Sequence, residues 1–141
     1  MPPDVALTSE QCKAFVAAVR YFVAHPDPRC LPLFVGVVGP GTGLGMYEEI
    51  SLVLWSHDRR QVTACLRVGL EGSDTEKYRC CWWAADIDAW ELAGLVRPLV
   101  DHPDVDVQEA ALAFLELAPK AAEPLIGPSD LNKNDESSHL A

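Results

Sequence analysis

Carboxylates are the functional groups this sequence supplies most freely. Between Asp86 and Glu109 seven acids (Asp86, Asp88, Glu91, Asp101, Asp104, Asp106 and Glu109) stand against one base, Arg97. Paired carboxylates such as Glu48-Glu49, or Asp86 with Asp88, have the composition of a general acid and base, yet nothing places a nucleophile or a pocket beside them. The histidines are scattered: His25 and His102 lie in Pro-Asp turns, His57 at a helix junction and His139 near the end of the chain. They form no ligand set, and no Ser-His-Asp or Cys-His constellation follows from chain order alone. Cys12, Cys30, Cys65, Cys80 and Cys81 are irregularly spaced without a Cys-x-x-Cys pair, the pattern of reduced thiols in a core.

The acidic segment therefore reads either as a solvated rim or as a docking surface for a cationic partner. Asp88, Asp104 and Asp106 are expected at helix N-termini, where the dipole favours a carboxylate. The docking reading predicts fast, salt-sensitive association. Four tryptophans, Trp55, Trp82, Trp83 and Trp90, add to it. On a helical wheel Tyr78, Cys81, Trp82 and Ala85 share one face, which places Trp82 in the core. Trp83, roughly 100 degrees away beside Arg79 and Ile87, is either a contact anchor or packing against an adjacent helix pair. The candidate partner-binding face is thus Trp83, Asp86, Asp88, Trp90 and Glu91.

Helices must position these residues, and their starts are legible. A capping residue followed three positions later by Glu or Gln can satisfy two orphan amides at a helix N-terminus. Thr8 with Gln11, Asp58 with Gln61, Ser73 with Glu76 and Asp88 with Glu91 fit that pattern. Apolar stripes follow: Cys12, Phe15, Val16, Val19, Phe22 and Val23 on one helix, and Val62, Cys65, Leu66, Gly69 and Leu70 on another. The periodicity predicts seven helices, near 9–24, 29–38, 46–56, 59–70, 74–86, 89–101 and 105–118, with little β structure. Pro98 falls inside the sixth, where Gly94 four residues earlier leaves room for a kink. After Ala118 the chain turns polar and proline-rich, which predicts a short capping helix around 120–126 and a flexible tail over 128–141, with residues 1–127 as one domain.

The run Val37-Val38-Gly39-Pro40-Gly41-Thr42-Gly43-Leu44-Gly45 offers a rival site. Preceded by Leu33-Phe34-Val35-Gly36, it could be a strand entering a glycine loop, and Gly39-x-Gly41-x-Gly43 is similar to the first motif of S-adenosylmethionine-dependent methyltransferases. That resemblance implies a cofactor approached closely by the glycine backbone. Against it, Val37-Val38 stands where the motif expects an acid, no Lys-Ser/Thr follows to make a phosphate loop, and no alternating strands appear downstream. A loop between helix pairs is the other reading.

Between Lys77 and Ala118 one helical unit is written twice, staggered by about 30 residues, the spacing of stacked helix pairs. Tyr78-Arg79-Cys80-Cys81-Trp82 aligns with Val107-Gln108-Glu109-Ala110-Ala111, each after an acidic turn. At Leu99-Val100-Asp101-His102-Pro103-Asp104 into Val105 to Leu115 the chain resembles the HEAT-repeat family and its armadillo relatives. The resemblance runs from Met46 to Ala118. Arg79 and Gln108 fall where that family often has arginine, and only Arg79 matches. The family implies an all-α, right-handed α-solenoid of about three to four helix pairs whose concave face holds proteins; it carries no catalytic residues.

The composition narrows the partner. At 141 residues the chain can bury roughly 70% of its unfolded surface, enough to fold without a disulfide or metal. With 21 acids against 11 bases the net charge is -10, and the only basic pair is Arg59-Arg60, which argues against nucleic acid. No run approaches the ~20 apolar residues of a membrane span, and Met1-Pro2-Pro3-Asp4 lacks a leader's basic and apolar regions, so a cytoplasmic protein is expected. The expectation is a protein-binding module, not an enzyme, with no cofactor or metal. Its sharpest form is an immunity-type inhibitor of a basic toxin or effector domain. A structural adaptor of the same fold and a small enzyme built on residues 39–45 are the alternatives.

Overall fold

Local side-chain chemistry starts most of the helices. In the computed structural model, which describes residues 1–39 and 41–119, α1 spans Ser9–Ala24. It opens on a complete capping box: the Thr8 hydroxyl accepts from the Gln11 amide, and the Gln11 side chain accepts from the Thr8 amide. Asp58 caps α4 (Arg59–Leu70) by accepting from the Gln61 amide. Ser73 caps α5 (Asp74–Asp86) through the Glu76 amide. Asp104 caps α7 (Val105–Leu117) through the Val107 amide, and Asp106 lies in its first turn. The short helices α2 (Cys30–Gly36), α3 (Ile50–Trp55) and α6 (Ala93–Val96) complete the set, and no strand occurs among the described residues. The chain is all-α; the expected 120–126 helix and the tail over 128–141 lie outside the described residues.

Three stretches depart from the expected helices for backbone reasons. Residues 43–49 form tight 3-10 turns before α3, because Leu44 (φ 54°) and Gly45 (φ 86°) adopt left-handed conformations that no α-helix accepts. The Asp88 box does not form. Asp88 also has a left-handed backbone (φ 56°), and the helical turn after it starts at Ala89 without a side-chain cap. Residues 89–101 are not one kinked helix. A 3-10 turn (Trp90–Leu92), α6 and a second 3-10 turn (Arg97–Asp101) follow one another, since Pro98 has no N–H to give the α ladder.

α5 is the middle of the molecule and packs against both α4 and α7. Two flanks are therefore buried: Cys80, Cys81, Trp83, Ala84 and Ala85 are all core residues. The core continues through Val62, Leu66 and Leu70 of α4, Ile50, Val53 and Leu54 of α3, and Val107, Ala110, Ala111 and Phe114 of α7. Of the two readings of Trp83, this layering leaves packing and removes the contact anchor. Trp83 is 1% exposed and its indole N–H donates to the Tyr47 carbonyl at 2.9 Å, so it offers no contact surface. Trp82 is partly buried and packs against the same core.

All five thiols are free; Cys30, Cys80 and Cys81 are buried, and burial pushes Cys65 to about 11 and Cys81 to about 12, which makes them inert at neutral pH. Gly69 sets the distance between α4 and α5. A Cβ there would lie 2.3 Å from the Cys80 sulfur and 3.2 Å from Val35. Gly69→Ala gains up to about 1 kcal/mol of helix propensity. Overpacking of this kind costs about 1–3 kcal/mol, so a net loss is expected by urea denaturation. Adding Cys80→Ala, which removes the clashing sulfur, recovers part of it.

Candidate functional site

Two adjoining clefts open along the outward stripe of α5. Thr75, Tyr78, Arg79, Trp82 and Asp86 follow one another at helical spacing, and each borders at least one of them. The larger cleft, about 680 Å³, is lined by Glu48, Ser51, Tyr78, Arg79, Trp82, Trp83 and Asp86. The smaller, about 270 Å³, adds Gly41, Thr42, Asp74, Thr75, Asp104 and Asp106 around the same Tyr78 and Arg79. The walls come from distant parts of the chain: the 3-10 turn before α3, the turn before α7, and α5 between them.

Carboxylates dominate both rims. Glu48 and Asp86 face the larger cleft, and Asp74, Asp104 and Asp106 the smaller. Burial, with the Glu48 charge added to it, raises the Asp86 carboxyl above its ordinary value. Among the described residues neither Glu48, Asp86, Asp104 nor Asp106 has a Lys or Arg ion pair; Asp74 faces only the His102 ring, at 3.5 Å. The His102 Nδ1 accepts the Asp104 amide, so the proton of the neutral ring sits on Nε2 and points at Asp74.

Among the described residues the one cation lining the clefts is Arg79, which is 6% exposed. Its Nη2 donates to the Gly41 carbonyl at 2.7 Å, and the rings of Tyr47 and Tyr78 lie 5.3 and 5.1 Å from its guanidinium carbon. The Arg79 Nε and the Trp82 Nε1 are enclosed without an acceptor. Gln108, which aligns with Arg79 in the sequence, also bonds a main-chain carbonyl, donating to that of Val100 at 2.8 Å.

The expected site residues are divided by this geometry. Asp86 lies in the larger cleft, but Trp83 forms only part of its inner wall. Trp90 is half-buried against Phe114, ring centroids 5.1 Å apart. Glu91 is engaged by Arg59, whose guanidinium also donates to the Ile87 and Asp88 carbonyls and so closes the turn after α5. Asp88 is exposed beside that clamp and away from the clefts. Sequence reasoning missed Glu48 as Asp86's companion, along with Tyr78, Trp82 and Arg79. The spacing of polar residues 75, 78, 79, 82 and 86 on one helix was the available signal.

The glycine run is not a strand entering a loop. The Asp4 carboxylate occupies the loop's donors: it accepts from the Thr42 amide (3.0 Å), the Thr42 hydroxyl (3.1 Å) and the Gly43 amide (2.8 Å). Those bonds hold the Asp4 carboxyl below its ordinary range. Glycine is required at Gly41, where φ is 94° and a Cβ would press on that carboxylate at 2.7 Å. The amides that a cofactor would use are thus satisfied from within the chain.

Among the described residues no group of three His, Cys, Asp or Glu side chains is arranged to hold a metal, and no helix is long and apolar enough to cross a membrane. Compared with family models, curated proteins and solved structures, the chain matches none.

A carboxylate kept charged against its surroundings costs stability at neutral pH. Asp86→Asn removes that cost, which solvent screens at this exposed position, so a Tm unchanged or slightly raised is expected at pH 7. Because the folded-state value of Asp86 is raised, the advantage is present above it and vanishes as pH falls until both forms are neutral. Thermal scans at pH 7 and about pH 3 check both parts.

Proposed function

We propose that this protein is a non-enzymatic, cytoplasmic binding module of HEAT-like stacked helix pairs that holds a basic protein on its paired acidic clefts. The observation that carries the reading is the uncompensated charge. Glu48, Asp86, Asp104 and Asp106 line two adjoining concave sites and have no basic side chain of the described residues paired with them. A concave surface that leaves its carboxylates unpaired is complementary to cations supplied by something else. The excess of acid over the whole chain, net -10, extends the attraction beyond contact distance and disfavours nucleic acid.

The sharpest form of the reading is an immunity-type inhibitor, which neutralises a toxin or effector domain by covering the cations that the toxin uses on its own substrate. A scaffold that holds the same partner without inhibiting it is the alternative within this class. One experiment separates them. The partner is captured from native extract at low salt, released at high salt and assayed for toxic or enzymatic activity with and without this protein. Loss of activity at stoichiometric ratio supports the inhibitor; full activity in the complex supports the scaffold. Capture of nothing basic contradicts both.

A further inference from the structure

The core leaves two helix faces in solvent whose residues match in kind and in spacing. α1 packs on α3 and on the 3-10 turn before it, whereas α7 packs on α5 and on the turns that lead into it. The outward face of α1 carries Lys13, Ala17 and Arg20, all exposed. That of α7 carries Glu109, Leu112 and Glu116, also exposed, Leu112 at 46%. Within one chain the two faces do not meet, since all six residues are exposed and no ion pair joins them.

The α1 face is a groove. A cavity of about 490 Å³ has Cys12, Val16, Ala17 and Met46 for its floor and Lys13, Arg20 and Leu44 at its rim. Leu44 holds a left-handed backbone (φ 54°), unfavourable for a residue with a Cβ, and its side chain is still 61% exposed. An apolar side chain held out at such a cost is a contact waiting for its other half. The cations point the same way. In a chain with 21 acids and 11 bases, neither Lys13 nor Arg20 has a carboxylate paired with it among the described residues. The groove therefore fits a cover that is apolar in the middle and anionic at both ends.

Spacing selects that cover. Lys13 and Arg20 are seven residues apart, which on a helix is two turns or about 10.5 Å. Glu109 and Glu116 have the same separation and no Lys or Arg partner among the described residues. Leu112 stands between the two acids as Ala17 stands between the two cations, a large side chain against a small one, the relief that lets two helices approach. We propose that the α1 groove seats α7 of a second copy of this chain, Glu109 and Glu116 on Lys13 and Arg20, and Leu112 over Ala17 against Leu44. The two faces differ, so the contact is head-to-tail, and each added copy brings a further groove and a further α7. The clefts along α5 take no part, and the basic partner proposed above is a separate matter.

Two effects keep this association weak. Each copy carries a net charge of -10, although at about 0.15 M salt that general repulsion is screened beyond about 8 Å while the contact pairs are not. One helix face in one groove also belongs to the small, transient class of interfaces. Self-association is accordingly expected at about 0.1 mM and above.

Sedimentation equilibrium of the full chain, from about 10 μM to about 1 mM at about 0.15 M salt, reads it directly. The mean mass should rise with concentration beyond that of one chain. Lys13→Glu with Arg20→Glu, or Glu109→Lys with Glu116→Lys, should each weaken association at least about tenfold. All four together exchange the charges and restore the match, so association should return to within a few fold of native. Leu112→Ser leaves every charge in place and should weaken it about fivefold. These positions are exposed, so circular dichroism should show the native helix content in each variant. A native chain that stays single at about 1 mM overturns the contact, in favour of a cover from residues 120–141 of the same chain or from another protein. Association that survives either double reversal, or that the quadruple variant does not recover, overturns the pairing of these two faces.

Discussion

Trp83→Ala is expected to cost about 3–5 kcal/mol of folding stability, the range for emptying a buried aromatic site. Trp83 is 1% exposed between α5 and the turn before α3, and it is among the largest fully buried side chains of the molecule. Its truncation also strands the Tyr47 carbonyl, which loses the indole N–H. Small domains have about 5–15 kcal/mol in total, so the variant should be largely unfolded or close to it at 37 °C. Trp83→Phe separates the two contributions, since it keeps most of the volume and loses the hydrogen bond; a smaller loss, about 1–3 kcal/mol, is expected by urea denaturation. Near-native stability of Trp83→Ala would mean that the residue is a surface anchor after all.

Charge reversal in the larger cleft should have the opposite profile. Glu48→Lys with Asp86→Lys replaces two unpaired carboxylates by two ammonium groups at the proposed contact. Like charges brought together at an interface cost several kcal/mol, so affinity for a basic partner should fall by at least about 100-fold. Both residues are exposed and the charged form of Asp86 is disfavoured by its surroundings, so the fold should not suffer. Lost binding in a protein of unchanged or slightly raised Tm is the signature of residues kept for contact. Glu91→Lys is the matched control, because Glu91 is already bonded to Arg59 outside the clefts. It should lower stability modestly and leave affinity within a few fold.

The parts of the fold that were legible in the sequence are those fixed by neighbours in the chain. Thr8, Asp58, Ser73 and Asp104 satisfy amides three residues away, and α1, α4 and α5 begin and end where their caps and apolar stripes put them. The same kind of pattern failed at Asp88, whose backbone is left-handed where an N-cap is extended, and the turn that follows has Ala89 at its N-cap. The glycine run was ambiguous because the group that fills it, the Asp4 carboxylate, lies 38 residues from Thr42. Trp83 was left with two readings because a helical wheel ranks faces by apolar content, whereas burial on α5 is decided by α4 and α7 on its two flanks.

The site followed the same rule. Asp86 was legible as an unpaired acid on a helix end, yet its companion Glu48 comes from a turn nearly forty residues earlier, and only the fold sets them on one cleft. Arg79 carried a hint in the sequence, as a position at which the chain resembles the HEAT pattern. Its burial without a carboxylate was not foreseeable, since that depends on Gly41 and Tyr47 meeting it from the other side. The pairing of Glu91 with Arg59 was not legible, because Arg59 comes from α4.

The most direct test of the central claim is a binding titration between this protein and a basic protein captured as its proposed partner, run at low and at high salt with the native sequence and with Glu48→Lys/Asp86→Lys. Tight binding that weakens steeply with salt and falls at least about 100-fold in the variant is the predicted result. Equal affinity of the two, or an affinity indifferent to salt, would contradict the assignment of the acidic clefts as the partner's seat.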